Sequence, residues 1–464
     1  MPLPAILSAR RTSYGMSRGG SREGRAGPRF PFGVDGHSAR MTDSTRPPIV
    51  DSSAALLAKG YTWLPDRWRR TDAPVVRARL MGRQAVALRG PDAVRFFYDE
   101  RHVERRSALP EPVLSTLFGH GAVHTLDGHA HRVRKEMFLS LLTGPQAVAS
   151  LVECVTAAWD EAVASWPGRP SVVLFDEASR ILTRGVCRWA GVPLLDADEV
   201  ARDLVAMVDG FATAGPRHWR ARRARNRCEA WLGHLVEDVR AGIATAPAGS
   251  ALDAVVRHRD ADGEFLDPRT AAVELLNVIR PTVAVCWFVT YAGHALHHRP
   301  EVRERLREGD PAHAVAFAHE LRRFYPFAPF LGGLAVTDLR WRGELIPAGT
   351  LVLLDLFGQN HDPALWDEPY TFDPRRFVDR PPPRDELIPQ GGGDPAAGHR
   401  CPGEDVTVAL LWALGPRLAR LEYDVPDQDL RIPLNRMPAR VRSGFVLGKV
   451  RVPVAERGLQ TVSS

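Results

Sequence analysis

The stretch from Thr270 to His298 constrains this chain more than any other feature. As one helix, rising about 1.5 Å per residue, it is long enough to cross the whole body of a domain. Its centre, Leu275-Leu-Asn-Val-Ile-Arg280-Pro281-Thr-Val-Ala-Val285, is mostly apolar and carries a single charge. A helix of that composition belongs in a protein interior. Pro281 has no backbone donor for the carbonyl of Asn277, so the helix is predicted to kink there. A guanidinium in apolar surroundings is costly unless an anion meets it, and no acid lies within a turn of Arg280 on its own helix. Another segment or a ligand must supply the negative charge.

Around this helix the pattern is mainly α. Three-to-four-residue apolar spacing marks 145–165, 197–213, 219–242 and 269–298 within a largely helical run from about 129 to 325. Val76 to Leu80 and Gln84 to Leu88 read as short strands, followed by a helix from Pro91 to Tyr98. After Pro326 come strand-like pieces at Gly333 to Val336, Leu339 to Trp341 and Thr350 to Leu354. A Pro-rich loop region follows, then a helix after Cys401 and strands near Gly444 to Val452. The expectation is one mainly α domain over 46–464, with small β-sheets at both ends.

Residues 1–45 are rich in Gly, Ser, Arg and Pro and lack periodicity. They read as a disordered basic extension, or as a mis-called start with Met41 as first residue. Residues 1–41 hold seven Arg and two acids and so supply +5 of the formal +6; the rest is nearly neutral, which argues against a nucleic-acid surface on the folded body. Leu3 to Leu7 is short and interrupted by Pro4, and no long apolar run follows Arg10 and Arg11, which argues against a secretory signal. No stretch of about 18 uninterrupted apolar residues offers a membrane span. Five cysteines without Cys-x-x-Cys spacing fit a reduced, cytoplasmic, soluble protein. Nothing in the sequence reports the oligomeric state.

Cys401 stands apart from the other four. It closes the segment Pro389-Gln-Gly-Gly-Gly-Asp-Pro-Ala-Ala-Gly-His-Arg-Cys401-Pro-Gly-Glu404, ahead of an apolar helix. With Pro402 as the first helical residue, Cys401 would lie at a helix N-terminus, where free N–H groups stabilise a thiolate. The upstream glycines would let backbone approach something flat. By itself this segment fits a buried capping cysteine equally well.

Two further motifs decide between these readings. Glu320-Leu-Arg-Arg323 places an acid and an Arg on one helix face, and Phe372-Asp-Pro-Arg-Arg376-Phe377 follows in the loop-rich region. The three together, in this order and spacing, resemble the Glu-x-x-Arg helix, the Arg-Phe meander and the Cys-x-Gly loop of the cytochromes P450, over roughly residues 50 to 455. That resemblance implies the haem-thiolate fold, with one haem b between the long helix and the loop. It makes Cys401 the axial iron ligand and Glu320, Arg323 and Arg376 a structural charge network. His399 and Arg400 would bring positive charge to the haem propionates.

Monooxygenases of that family usually carry an acid followed by Thr at the bend of the long helix, to deliver protons. Here Arg280-Pro281 stands instead, and Gln390-Gly-Gly-Gly-Asp394 replaces the usual Phe-x-x-Gly start of the haem loop. Both departures resemble the bacterial fatty-acid peroxygenases and decarboxylases. This implies hydrogen peroxide as co-substrate, no obligatory redox partner, and a fatty-acid carboxylate held by Arg280 as the acid/base group. Hydroxylation at the α or β carbon, or decarboxylation to a terminal alkene, would follow. The same likeness makes Arg280, Pro281 and His124 catalytic and Phe118 a substrate-pocket residue. It gives Arg105, His131, Lys135 and His399 to the haem, with Arg106 as the alternative register. His131 and Lys135 are four apart and so share a helix face. Thr282 leaves a reductase-dependent monooxygenase as an alternative, a non-catalytic haem sensor is a third reading, and Arg280 has the alternative of pairing with a protein acid such as Glu274 or with a haem propionate.

Overall fold

The central helix begins at Pro268, with the Asp267 carboxylate accepting a hydrogen bond from the Thr270 amide at 3.0 Å and Pro268 in the first turn. The computed structural model describes residues 50–451 except 212 and 397; the basic extension and the Leu3 to Leu7 patch lie outside the described residues. The helix runs to Val283, and a second segment, Val285–His298, continues it. The regular helix is interrupted at Ala284, three residues after Pro281. Pro281 lies within the helix and is the one exposed position of residues 271–296. Pro268–His298 is long and apolar enough to cross a membrane by length and composition, but 94% of its most apolar window is buried inside the protein.

Helices Leu174–Ala190 and Pro216–Arg240 pack on the first segment, and Leu174–Ala190 with Glu404–Arg420 on the second. One core runs through them, including Val155, Leu182, Trp287, Phe317 and Leu410. The helical segments expected at 145–165, 197–213 and 219–242 are Pro145–Val163, Ala197–Asp209 and Pro216–Arg240, and Gly128–Leu142 precedes them.

The strands depart from the expectation of separate small sheets at the two ends. Val76–Leu80 and Arg83–Leu88 form a hairpin through Met81 and Gly82, both at positive φ (49° and 77°). Arg83–Leu88 then pairs in parallel with Leu351–Asp355, Ala85 opposite Leu351. Phe330–Ala335 lies on the other side of Leu351–Asp355, and Val103–Glu104 completes five strands. All five residues of Leu351–Asp355 are buried, and a strand so enclosed needs a neighbour on each side. A second sheet joins Ser171–Val173, inside the region read as helical, to Val446–Arg451 and Glu422–Asp424. Three residues are too few for a period to show.

Candidate active site

The helix after Cys401 starts at Glu404, with Gly403 as its cap; Pro402 is not its first residue, so Cys401 lies in the turn before it. Glu404 is drawn inward by two cations: it accepts from Arg322 Nη2 at 2.5 Å and from Arg400 Nε at 2.7 Å. Arg322 Nε donates to Gln390 Oε1 at 3.0 Å, and the Gln390 amide donates to Thr407 Oγ1 at 3.1 Å and lies 3.9 Å from Cys401 Sγ. Arg400 is thereby committed to the loop's own support, with a further bond to the Gly393 carbonyl at 3.1 Å. Burial pushes the Cys401 thiol up, and the Gly403 amide, Lys135 and Arg322 pull against it without prevailing. A bound metal would favour the ionised form further.

The glycines of the loop are closely packed by neighbouring side chains. A Cβ on Gly391 would stand 2.3 Å from the Tyr98 hydroxyl, one on Gly392 2.2 Å from Val94 Cγ1, and one on Gly393 2.9 Å from Tyr98 Cγ. Within the protein, Gly391 and Gly393 make room for Tyr98 and Gly392 for Val94.

Burial works against the charge of Glu404, but Arg322 and Arg400 outweigh it and hold the carboxyl at about 2. A carboxyl held lower in the folded chain than in the unfolded one stabilises the fold at neutral pH and gives that stability up as pH falls from about 5 towards about 2. Glu404→Gln is expected to be less stable at neutral pH by about 3 kcal/mol, since it leaves two buried cations short of a partner. Its urea midpoint should also fall less steeply with acidification than that of the parent. Equal slopes for the two proteins would contradict the assignment.

On the far side of the loop, Arg105 is the buried member of its pair and Arg106 the exposed one. Arg105 Nη1 donates to the Gly332 carbonyl at 2.6 Å, and its guanidinium lies 4.1 Å from the Phe97 ring centroid. Both backbone amides of the pair donate to the Asp127 carboxylate, which also meets His399 Nε2 at 3.2 Å. His399 stacks on His131 with ring centroids 3.9 Å apart, and the buried His131 Nδ1 has no partner. Lys135 Nζ donates to the carbonyls of Gly398 and Arg400 at 3.0 and 2.6 Å. Four basic side chains thus converge beside the Cys401 loop. Burial, then His399 and Lys135, push His131 down to about 3, and burial pushes Lys135 to about 8. Asp127 and Glu100 are the acids beside it.

Glu320, Arg323 and Arg376 meet elsewhere. Arg323 grips the fully buried Glu320 through two bonds of 2.7 and 2.8 Å and donates to the carbonyls of Asn360 and Pro369, while Arg376 Nε is 3.7 Å from Glu320.

Arg280 is 4% exposed. Its Nη2 donates to Asn277 Oδ1 at 3.0 Å, its Nε has no partner, and no carboxylate among the described residues pairs with it. Glu274 is committed instead to Arg134 at 2.7 Å, to the Val123 amide at 2.8 Å and to Asn277. Burial, and then the like charge of Arg225, bring Arg280 down to about 9, while Cys401 acts in the opposite direction. The guanidinium stays charged. Phe118 lies 6.0 Å from it by ring centroid and packs on His124 with centroids 4.3 Å apart. The Phe118 carbonyl is fixed by Arg225 and Asn277, both at 3.0 Å. Burial and then Arg280 hold His124 well below its ordinary value, so its imidazole is neutral, and its Nδ1 is a buried atom without a partner.

Sequence reading passed over Asn277, Arg134, Arg225, Arg322, Gln390 and Glu404. Arg322, Gln390 and Glu404 stand beside or within quoted motifs. The others are polar residues on helices, a signal that needs the partner to be interpreted.

Haem, the group that the resemblance implies, fits these residues. Pro281 gives the otherwise buried central helix one open face, and Cys401, itself partly exposed, lies within the charge range of the neighbouring Arg280. The buried His131 Nδ1, without a hydrogen-bond partner among the described residues, and a cluster of bases would suit two propionates, and a thiol suits iron. Cys401 would hold the metal, with Arg105, His131, Lys135 and His399 at the propionates.

Comparison with known proteins agrees with this geometry. The family model for cytochrome P450 matches residues 314–442. Abscisic acid 8'-hydroxylase 3 of Oryza sativa subsp. indica is 25% identical over 367 residues, covering 72% of this chain and 71% of the relative. Among solved structures, a variant of cytochrome P450SP alpha is 40% identical, with a TM-score of 0.84, covering 87% of this chain and all of its own. A variant of cytochrome P450 OleT in complex with arachidonic acid is 34% identical, with a TM-score of 0.86 and coverage of 89% and 100%. The chain belongs to the cytochrome P450 family, within its fatty-acid peroxygenase and decarboxylase branch.

Proposed function

We propose that this enzyme uses hydrogen peroxide to oxidise fatty acids beside their carboxylate, giving α- or β-hydroxy acids and terminal alkenes. The observation that carries the reading is Arg280, a buried cation with no anionic partner among the described residues, next to the open face at Pro281. A fatty-acid carboxylate supplies the missing charge and accepts from the guanidinium. The arachidonic acid bound by the OleT variant supports this substrate class. Bound haem would supply the oxidising chemistry. The residues of the chain orient the acid so that its first carbons lie nearest the reacting centre, and the carboxylate, held against Arg280, takes up and returns the proton that peroxide activation requires. The Thr282 hydroxyl donates to the Val278 carbonyl at 3.0 Å, and Pro281 stands where the monooxygenases place the acid before such a threonine. No electron-transfer partner is needed for this chemistry.

The test is to incubate haem-loaded protein with a fatty-acid mixture and peroxide, without reductant, and identify products by mass spectrometry. Hydroxy acids and alkenes are expected; product only with a reductase system would support the monooxygenase, and none under either regime would leave a haem-binding sensor.

His124 bears on the branch between the two outcomes. A neutral imidazole with a free nitrogen can hydrogen-bond the bound acid and pass a proton, whereas an amide cannot pass one in the same way. His124→Gln is expected to lower the alkene share at equal haem loading, read by gas chromatography of both products. An unchanged ratio would make His124 a wall residue.

A further inference from the structure

Apart from its N-terminal segment the sequence is nearly neutral, yet one helix carries a concentrated positive face. From Phe211 to Cys228 there is no Asp or Glu, and Pro216–Arg240 opens with Arg217, Arg220, Arg222, Arg223, Arg225 and Arg227. Three of these are neutralised: Arg217 by Asp209, Arg225 by Glu229 and Arg227 by Asp203. Arg220, Arg222 and Arg223 form no ion pair among the described residues. Beside them Trp219 is 55% exposed, with the Arg222 guanidinium 5.6 Å from its ring centroid. Pro216, Trp219, Arg220, Arg223 and Arg227 line one surface cavity of about 390 Å³.

We propose that this face docks the enzyme on an anionic lipid surface. Unpaired arginines attract lipid phosphates and fork onto their oxygens, while an exposed indole, apolar with one polar N–H, suits the headgroup boundary. An acidic protein surface would satisfy the arginines but gives no comparable role to Trp219, and the charge complementarity favours a continuous sheet of phosphates. The same helix reaches inward through Arg225, which donates to the carbonyls of Leu117 and Phe118 at 2.7 and 3.0 Å. The docking face is therefore on the outer side of the element that holds the pocket wall. The proposal does not depend on peroxide chemistry and can fail or hold without it.

Co-sedimentation with vesicles tests it, using the full haem-loaded chain and either phosphatidylcholine alone or phosphatidylcholine mixed with phosphatidylglycerol. The parent should partition onto the mixed vesicles and not onto phosphatidylcholine. The triple variant Arg220→Gln, Arg222→Gln, Arg223→Gln should bind roughly a hundredfold less, the loss expected for three basic residues at an anionic surface. Trp219→Ser should weaken binding several-fold with charge unchanged. Both variants keep the N-terminal arginines, so any difference belongs to the helix, and an unaltered absorption spectrum shows that the fold is intact. No partition of the parent onto the mixed vesicles, or equal partition of parent and triple variant, overturns the proposal. Arginine-dependent binding to an acidic acyl-carrier protein without vesicle binding also overturns it, and gives the face to a protein partner.

Discussion

Arg280→Leu should retain haem with an unaltered thiolate spectrum while losing peroxide-driven fatty-acid turnover by about two to three orders of magnitude in kcat/KM. The size follows from what is removed. A charged, hydrogen-bonded pair in a dry site is worth several kcal/mol when one partner is deleted, and each 1.4 kcal/mol, roughly, is a factor of ten. Leucine approximates the volume of the side chain's buried stem, so the helix should tolerate it; the cost of leaving Arg280 itself unpaired disappears, and the variant should unfold at a higher urea concentration than the parent. Lower activity with higher stability is the signature of a cation kept for its ligand. Arg280→Lys keeps the charge but not the two-pronged fork or its reach, and should fall between the two. Turnover in Arg280→Leu within a fewfold of the parent would show that the guanidinium serves the fold alone.

Cys401→Ala should abolish the thiolate-type spectrum of the reduced carbon monoxide complex and reduce peroxide turnover to background. Burial disfavours the free thiolate while the Gly403 amide, Lys135 and Arg322 favour it, and alanine offers iron no ligand at all. The loop should survive. Its support is the Arg322–Glu404–Arg400 triad together with the Lys135 bonds to two loop carbonyls, none of which passes through the sulfur. Circular dichroism of the apoprotein should therefore match that of the parent apoprotein, which separates loss of the ligand from loss of the fold. A variant that keeps the thiolate spectrum would move the ligand to another residue.

What the sequence disclosed and what it withheld divide along the range of the interactions. Glu320 with Arg323, and Arg280 with Pro281, are local patterns whose partners lie within one helical turn, so a linear reading finds them. Glu404 was missed because the cation that makes it important, Arg322, is far away along the chain. The same long-range pair explains the misplaced helix start: proline favours a first helical position only modestly, and two buried ion pairs at Glu404 outweigh that preference. Asn277 and Glu274 sit on an apolar face and look like defects of the pattern until the Phe118 carbonyl meets the first, and Arg134 and the Val123 amide the second. The strand Ser171–Val173 exists only because Val446–Arg451 pairs with it, and nothing within three residues announces that partner.

The parallel pairing of Arg83–Leu88 with Leu351–Asp355 has a bearing on synthesis. A two-stranded hairpin is marginal in water by itself, so the one ending at Leu88 must wait, with an open edge, until the ribosome has delivered a strand hundreds of residues later. The intervening helices can condense locally in the meantime, which makes closure of this sheet a late and slow event limited by bringing distant segments together. During that interval the nascent chain offers a β edge to other chains, and yield in a heterologous host should respond more to slower translation or chaperone supply than to stabilising substitutions within the helical core.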